Sequence, residues 1–250
     1  MINKNDLIKI ARLYEMRPWQ QEKHYIQSLI LVAIGKEPVV LKGGTYLWFF
    51  NNLPRFSEDL DFTASGRLSK NLPEMVSESL EFFGVDNALK IISDNEKTLS
   101  FRVSAKGPLN TLDIDLCYVY IEINRREKII LKPVSILTKI EPYGLPIKVL
   151  SGMHLSEVAA EKIRAILTRS KARDVYDLWF LIKEGYTPQL KIVEEKLNHY
   201  EKNFSLELFT EKLKKTENIW VKELKPILFG HLPEFQGAFE FLINKVKEIS

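Results

Sequence analysis

The sequence predicts an α/β (α+β) protein, in which a mixed sheet flanked by helices is followed by a helical C-terminal domain. Two helical patterns come first, over residues 3–15 and 18–34. Alternating and continuous apolar residues between 85 and 150 then predict several strands. From there to the end, the apolar spacing is mainly helical. We place the domain boundary in the proline-containing stretch before this change, which gives domains at 1–150 and 151–250.

The elements of the first domain follow from periodicity and from turn residues. Pro18 suits the first turn of a helix that ends at Gly35. An apolar strand at 38–41 leads into two glycines, a threonine and a short apolar helix. A further helix is predicted over 70–83. The strands predicted after it cover 85–93, 97–105, 110–120, 128–132 and 147–150.

Length and composition limit the class of protein. The formal net charge of +3 over 250 residues is too small to indicate a nucleic-acid partner by itself. Cys117 is the only cysteine, so no internal disulfide can form and a reducing compartment is favoured. The N-terminus has no signal-peptide pattern, and no apolar stretch approaches membrane-spanning length. We therefore expect a cytoplasmic protein that does not associate with a membrane.

Residues 41–62 carry the strongest chemical signal. In the Gly-Gly-Thr turn at 43–45, glycines let the backbone approach a ligand closely, and the first amides of the next helix favour an anion. Asp59 and Asp61 are two residues apart, so on a strand they share a face. Paired carboxylates repel unless a cation lies between them, and Mg²⁺ accepts one or two carboxylates together with phosphate oxygens.

Each half of this stretch has a plain structural explanation when it stands alone. Gly-Gly is usually a turn, and Asp-x-Asp is usually a solvated strand edge. A strand, Gly-Gly, a helix, a turn and Asp-x-Asp in this order are much less often accidental. The combination predicts a phosphate cradle beside a metal-binding acidic pair, which suits phosphoryl or nucleotidyl transfer.

A second set of charges lies on and after the first C-terminal helix. Lys162 and Arg169 are seven residues apart and fall in one row, which suits nucleotide phosphates, although a solvated basic stripe explains the row equally simply. Asp177 follows among aromatic residues, where a carboxylate is costly unless Lys162, Arg169 or Arg173 pairs with it. Asp174 is close enough to a helix start to act as a cap or first-turn acid.

Two motifs of this sequence resemble one known family. Lys-Gly-Gly-Thr-x-Leu from residue 42, with Arg-x-Ser-x-Asp-Leu-Asp-Phe from residue 55, is similar to the signature of the AbiEii-type nucleotidyltransferases. Lys-x-x-Ala-x-x-x-Arg from residue 162, with Arg-Asp-x-x-Asp-Leu from residue 173, also resembles that family. Its members are toxins of abortive-infection, type IV toxin–antitoxin systems and belong to the polymerase-beta-like nucleotidyltransferase superfamily.

The resemblance implies a role for each matching residue. The C-terminal domain completes a cleft that holds a nucleoside triphosphate (NTP). Asp59 and Asp61 hold Mg²⁺ and are catalytic, Lys162 steadies the triphosphate, and Asp177 orients that lysine or acts as a base. Nucleotide-binding roles are expected for Lys42, Gly43, Gly44, Thr45, Ser57, Arg169 and Asp174.

A third carboxylate is expected from a neighbouring strand. Asp113 and Asp115 share one face of the predicted strand 110–120, and either could fill this role by resemblance. We prefer Asp115 as a metal ligand because it lies deeper in the apolar run. The plain explanation is a half-exposed strand with acids on its polar face. Arg55 is expected to pair with an acid such as Asp59 or Glu58.

The expected reaction is attack of an acceptor hydroxyl on the α-phosphorus of an NTP, with release of pyrophosphate. By resemblance, the leading acceptor is the 3′ end of tRNA, and a cognate antitoxin is an expected partner. Two alternatives remain open. One is nucleotidyl transfer to a small molecule or a protein side chain, and the other is a non-catalytic binding module on the same fold.

Overall fold

The computed structural model describes residues 1–112, 114–140 and 142–249, and these residues form two compact units. The first unit comprises Met1–Asn51, Ser57–Lys128 and Pro133–Gly152. The second comprises Asn52–Phe56, Ile129–Lys132 and Met153–Ser250. The two short segments 52–56 and 129–132 therefore belong with the C-terminal part of the chain, which a single boundary after residue 150 does not anticipate. Across the described ranges, no helix has the length and apolar character needed to cross a membrane.

One mixed sheet of seven strands runs through the described part of the first unit. The strands are β1 (Val39–Lys42), β2 (Leu60–Ala64), β3 (Asn87–Asp94), β4 (Thr98–Ala105), β5 (Cys117–Asn124), β6 (Val134–Leu137) and β7 (Val149–Gly152). Their order across the sheet is β3-β4-β5-β2-β1-β7-β6. The pairs β2/β5 and β1/β7 are parallel, and the other neighbours are antiparallel.

Four helices accompany the sheet: α1 (Lys4–Leu13), α2 (Pro18–Ile34), α3 (Gly43–Phe50) and α4 (Leu72–Phe82). Pro18 begins α2 and Gly35 ends it, as the sequence predicted. Helix α2 contacts β5 and α4, and α4 contacts β3. The side chains of Leu99, Phe101 and Val103 on β4 are buried, and they alternate with half-exposed residues. The core of this unit therefore lies against one face of the sheet.

The second unit is helical in its described residues. Its helices are α5 (Leu155–Thr168), α6 (Ala172–Lys183), α7 (Leu190–Asn198), α8 (Leu206–Lys214), α9 (Glu217–Leu224) and α10 (Phe235–Ile249). Helix α5 contacts α6, α7 and α8. Its apolar side is fully buried at positions such as Ala159 and Ile163, because helical residues four apart lie on one face. The predicted fold class, a mixed sheet with helices followed by a helical region, is confirmed.

The structure corrects the predicted strands in three places. The strand predicted over 110–120 begins only at Cys117, and the described residues before it, 110–112 and 114–116, form loop and turn. No strand forms at 128–132, although this segment contains a continuous apolar run at 129–131. The stretch between the predicted strands 128–132 and 147–150, where no strand was expected, contains β6, and β7 covers Val149–Gly152 in place of 147–150. Prolines flank β6, which is an edge strand, and edge strands tolerate them.

Candidate active site

The Gly-Gly turn meets Asp61 at the end of β1. Antiparallel pairing of β1 with β2 sets Lys42 opposite Asp61, so the backbone of Gly43 passes beside the Asp61 carboxylate. Gly43 has a φ of +74°, and a Cβ built on it would lie 2.5 Å from Asp61 Oδ2. A side chain cannot occupy that space without displacing the carboxylate, so glycine is required here. Asp61 therefore lies directly against the backbone at the start of α3.

Thr45 holds the backbone of the other acid. Its hydroxyl Oγ1 donates a hydrogen bond of 2.5 Å to the carbonyl oxygen of Asp59, and the threonine side chain is buried. Asp59 lies immediately before β2, whereas Asp61 lies within it. Leu60 between them is fully buried, while both acids are half-exposed. Because side chains alternate along a strand, the Asp61 carboxylate lies on the face of β2 opposite Leu60.

The remaining residues predicted in this unit lie near the same turn. Lys42 directs its Nζ to Glu127 Oε2 at 2.7 Å, in an ion pair that is almost fully buried. Gly44 is buried in the first turn of α3. Ser57 is half-exposed, and its carbonyl oxygen accepts a hydrogen bond from Gln27 Nε2 at 3.2 Å. The lysine charge is therefore compensated by a carboxylate of the protein itself.

The structure does not support Asp115 as a neighbour of the acidic pair. Asp115 is exposed and lies in the loop before β5, and its Oδ2 accepts a hydrogen bond of 2.5 Å from Thr111 Oγ1. Strand β2 pairs with β5 only from Ile121 onward, so Asp115 precedes the paired region. The prediction that it lies within a strand is wrong. Asp113, the alternative, is outside the described residues.

Glu122 is the acid that the sequence reasoning missed. The parallel register of β2 and β5 sets it opposite Asp61, on the same face of the sheet. Its position could have been found from the alternation of Val119, Ile121 and Ile123, which are all buried, with exposed residues between them. Leu112, Ile114 and Leu116 alternate with other residues in the same way, so the predicted strand began several residues too early.

The second unit contains a buried charge network of Arg55, Lys162, Arg169, Asp174 and Asp177. Arg55 Nε and Nη2 donate to the two carboxylate oxygens of Asp177, each at 2.6 Å. Lys162 Nζ lies 2.6 Å from Asp177 and 3.1 Å from Asp174. Arg169 Nε donates to the second oxygen of Asp174 at 2.8 Å. The predicted pairing of Asp177 with Lys162 is confirmed.

Arg55 pairs with an acid, as expected, but this acid is Asp177 and not Asp59 or Glu58, the examples that the sequence suggested. The short segment that carries Arg55 is fixed by hydrogen bonds to residues after α9. Phe56 N donates to Ile227 O at 2.7 Å, and Phe229 N donates to Pro54 O at 2.9 Å. These bonds hold the guanidinium against Asp177.

The ionisation of the network follows from its contacts. Burial alone would raise the pKa of the Asp177 carboxyl, but the charges of Arg55 and Lys162 outweigh it and hold the pKa below its usual value. Burial likewise opposes ionisation of Asp174, and Lys162 and Arg169 together lower its pKa. Both carboxylates are therefore ionised at neutral pH. A carboxylate with a lowered pKa is a poor base, so the contacts favour an orienting role for Asp177 over a basic one.

A second buried cluster positions α5. Lys196 Nζ on α7 lies 2.7 Å from Glu157 Oε1 and 3.0 Å from Glu161 Oε1. Glu157 also accepts hydrogen bonds from the backbone amides of Ile130 and Leu131, at 2.8 Å for Leu131. These contacts fasten the segment 129–132 to the helix that carries Lys162.

No group of three or more histidine, cysteine, aspartate or glutamate side chains in the described ranges is arranged to hold a metal ion by itself. The Asp59/Asp61 pair supplies two carboxylates of the kind that Mg²⁺ accepts. Such a pair leaves most coordination positions to substrate phosphates and water. The donor set therefore fits a metal that is bound together with a phosphorylated substrate.

Comparison with solved structures shows the same fold in other nucleotidyltransferases. A proposed nucleotidyltransferase from Helicobacter pylori has a TM-score of 0.58 and 22% identity, and the match covers 91% of this chain and 92% of that one. JHP933 from Helicobacter pylori gives the same TM-score and identity, over 92% and 91% of the two chains. MenT4, a nucleotidyltransferase toxin from Mycobacterium tuberculosis, has a TM-score of 0.52 and 20% identity, over 93% of this chain and 76% of that one.

No curated protein sequence matches the chain. The model of one protein family matches residues 27–241, and that family is described as the nucleotidyl transferase AbiEii toxin of type IV toxin–antitoxin systems. This match covers most of the chain and includes both motifs. The protein therefore belongs to the AbiEii nucleotidyltransferase toxin family, and it is a nucleotidyltransferase.

Proposed function

We propose that the protein transfers a nucleoside monophosphate from an NTP to the 3′ end of tRNA in the cytoplasm, in a Mg²⁺-dependent reaction. Family membership implies an NTP substrate and a cognate antitoxin. MenT4, which shares the fold, is a nucleotidyltransferase toxin. The observation that supports the proposal is the closeness of Gly43 to the Asp61 carboxylate, because a carboxylate suited to Mg²⁺ then lies beside a turn whose amides suit phosphate.

The chain's own residues have separate tasks in this reaction. The amides of Gly43 and Gly44 at the start of α3 bind phosphate oxygens. Asp59 and Asp61 would hold Mg²⁺, which supplies charge neutralisation at the attacking and leaving oxygens. Lys162 steadies the triphosphate, and Asp177 fixes the orientation of that lysine.

The bond changes are those of a nucleotidyl transfer. The acceptor hydroxyl oxygen forms a bond to the α-phosphorus and loses its proton to solvent or a base. The bond between the α-phosphorus and its bridging oxygen breaks, and pyrophosphate leaves. Positioning of the two reactants supplies much of the acceleration, because the protein forms no covalent intermediate.

The register of β5 supports Glu122 as the third carboxylate. The resemblance implies an acid from a neighbouring strand, and Glu122 is the residue that the pairing sets opposite Asp61. Asp115, which the sequence favoured as the third metal ligand, is supported only by the resemblance. Parallel substitutions of Glu122 and Asp115 therefore distinguish the two assignments.

The experiment incubates the protein with each labelled NTP and total tRNA and follows the label into RNA, protein and small molecules. Asp61→Ala is expected to lower transfer by about 10²-fold or more, because a preorganised electrostatic contact is lost. Glu122→Gln is expected to lower it as well, and Asp115→Asn is the matched control that keeps activity. Transfer that survives Asp61→Ala refutes the metal assignment.

The destination of the label separates the proposal from its alternatives. Label in protein or in a small molecule supports one of the other acceptors and overturns the tRNA proposal. If no label moves and Mg²⁺ with NTP does not raise the melting temperature, the result favours a non-catalytic binding module.

A further inference from the structure

The face of the sheet that bears the acidic pair continues across two more strands of the first unit. Asp61 is opposite Glu122 in the β2/β5 register. Tyr120 lies on the same face of β5, two residues before Glu122, and Arg102 on β4 is opposite Tyr120. Tyr118 lies two residues before Tyr120, on the same face and further from Glu122. One continuous surface therefore leads from the candidate metal site to a pair of tyrosines.

These tyrosines are exposed although a sheet face usually buries aromatic rings. Tyr118 is 37% exposed and Tyr120 is 43% exposed, whereas Val119 between them is fully buried. The guanidinium of Arg102 lies 4.7 Å from the centroid of the Tyr118 ring and 6.0 Å from that of Tyr120. We name the surface formed by Arg102, Tyr118 and Tyr120 the aromatic platform.

Arg102 is not fully satisfied within the protein. Its Nε is buried and has no hydrogen-bond partner among the residues that the structure describes. A buried donor without a partner is unfavourable, and an acceptor atom of a ligand on the platform would satisfy it. Lys90 on β3 is opposite Arg102, which adds a second cation beside the platform.

The chemistry of the platform matches an unpaired polynucleotide. Exposed aromatic rings stack on bases of any sequence, and arginine and lysine attract the connecting phosphates. The described outward positions of β4 and β5 here are Ser100, Arg102, Tyr118, Tyr120 and Glu122, and none of these is aliphatic. A protein partner would favour a more apolar centre.

We infer that the aromatic platform binds the single-stranded 3′ end of the RNA acceptor and directs its terminal hydroxyl towards the Asp59/Asp61 pair. The inference rests on the proposed function and adds a location for the acceptor. Residues two apart on a strand are about 6.6 Å apart, so Tyr120 lies close to the position opposite Asp61 and Tyr118 lies one step further. Bases stacked on these rings belong to the nucleotides that precede the reacting end.

The test compares the wild type with the double variant Tyr118→Leu/Tyr120→Leu in two assays. The first measures anisotropy of a fluorescent, unstructured RNA oligonucleotide without NTP, with a blunt duplex of the same sequence as competitor. The second measures kcat and KM for tRNA and for NTP. Tyr14→Leu is the matched control, because Tyr14 is 48% exposed and lies at the end of α1.

We expect the double variant to bind the oligonucleotide about tenfold or more weakly and to raise the KM for tRNA by a similar factor, since each stacking side chain contributes to affinity. The KM for NTP should stay unchanged. Unchanged RNA affinity of the double variant overturns the inference. A raised KM for NTP with an unchanged KM for tRNA also overturns it, because the platform would then bind the base of the NTP. Should the double variant not fold, Arg102→Gln must show the same loss.

The two assays keep this inference distinct from the proposed function. If the wild type transfers label to tRNA and the platform variants leave RNA binding unchanged, only the inference fails. If the wild type transfers nothing to tRNA, the proposed acceptor fails, and oligonucleotide binding alone decides whether the platform recognises RNA.

Discussion

Asp177→Asn is expected to destabilise the second unit strongly. The carboxylate is fully buried and makes contacts of 2.6 Å to Arg55 Nε, Arg55 Nη2 and Lys162 Nζ. Removing one partner of a buried ion pair leaves uncompensated charge and typically costs about 3–5 kcal/mol. Three short contacts to two cations place the expected loss at the upper end, about 4–5 kcal/mol. This is a large fraction of a normal unfolding free energy of about 5–15 kcal/mol.

The assay is urea denaturation followed by tryptophan fluorescence, because Trp220 is buried in the second unit. Asp115→Asn is the matched control, since it makes the same chemical change at an exposed carboxylate with one hydrogen bond from Thr111. Its expected cost is within about 0.5 kcal/mol. A loss below about 1 kcal/mol for Asp177→Asn would refute the described network.

The pH dependence of the free energy of unfolding provides a second test of the same network. The pKa values of Asp174 and Asp177 are lowered in the folded protein, so the unfolded chain binds more protons at acidic pH. Their stabilisation is fully present above the unfolded pKa of about 3.9 and is lost as pH falls through the folded values. The free energy of unfolding of the wild type should therefore fall more steeply with decreasing pH below about pH 4. In Asp177→Asn this fall should be weaker.

Two further predictions concern the first unit. Gly43→Ala should reduce transfer by about 10²-fold, because its Cβ would displace the Asp61 carboxylate. Gly84 has nearly the same φ, and a Cβ on it would meet Met1 only at ordinary contact distances of 3.5 and 3.7 Å, so Gly84→Ala should affect only stability, by about 1 kcal/mol. Equal activity losses in both variants would contradict the clash. Burial lowers the pKa of His24 to about 3, so unfolding free energy should fall by about 1.4 kcal/mol per pH unit below the unfolded pKa of about 6.5. Denaturation at about pH 7 and pH 5 should show this slope in the wild type and in the exposed control His231→Gln, and lose it in His24→Gln.

The sequence predicted the parts of the fold and site that depend on local pattern. The boundaries of α2 follow from Pro18 and Gly35, and the Gly-Gly turn leads into α3 as expected. Short-range periodicity and turn residues determine these features, because the interacting groups are neighbours in sequence. The resemblance to the AbiEii family depended on the same local motifs and is confirmed.

The missed features all depend on partners distant in sequence. Arg55 and Asp177 are 122 positions apart, and no local pattern shows that they meet. Strand β5 was misplaced because exposed residues such as Leu112 and Ile114 alternate like a strand, while the true register is set by pairing with β2 and β4. A shift of this kind changes which residue lies opposite Asp61: the observed pairing sets Glu122 there, whereas Asp115 precedes β5.

The contacts of Lys162 bear on how this residue could hold a triphosphate. Arg55 contacts Asp177, Arg169 contacts Asp174, and Lys162 lies between the two carboxylates. Lys162 Nζ already contacts both carboxylates, and its side chain is only 9% exposed. The Arg169 side chain, by contrast, is 51% exposed and contacts Asp174 alone among the five. The two carboxylates therefore fix the ammonium group of Lys162 more closely than Asp174 alone fixes the guanidinium of Arg169, and a triphosphate would compete with both carboxylates for Lys162.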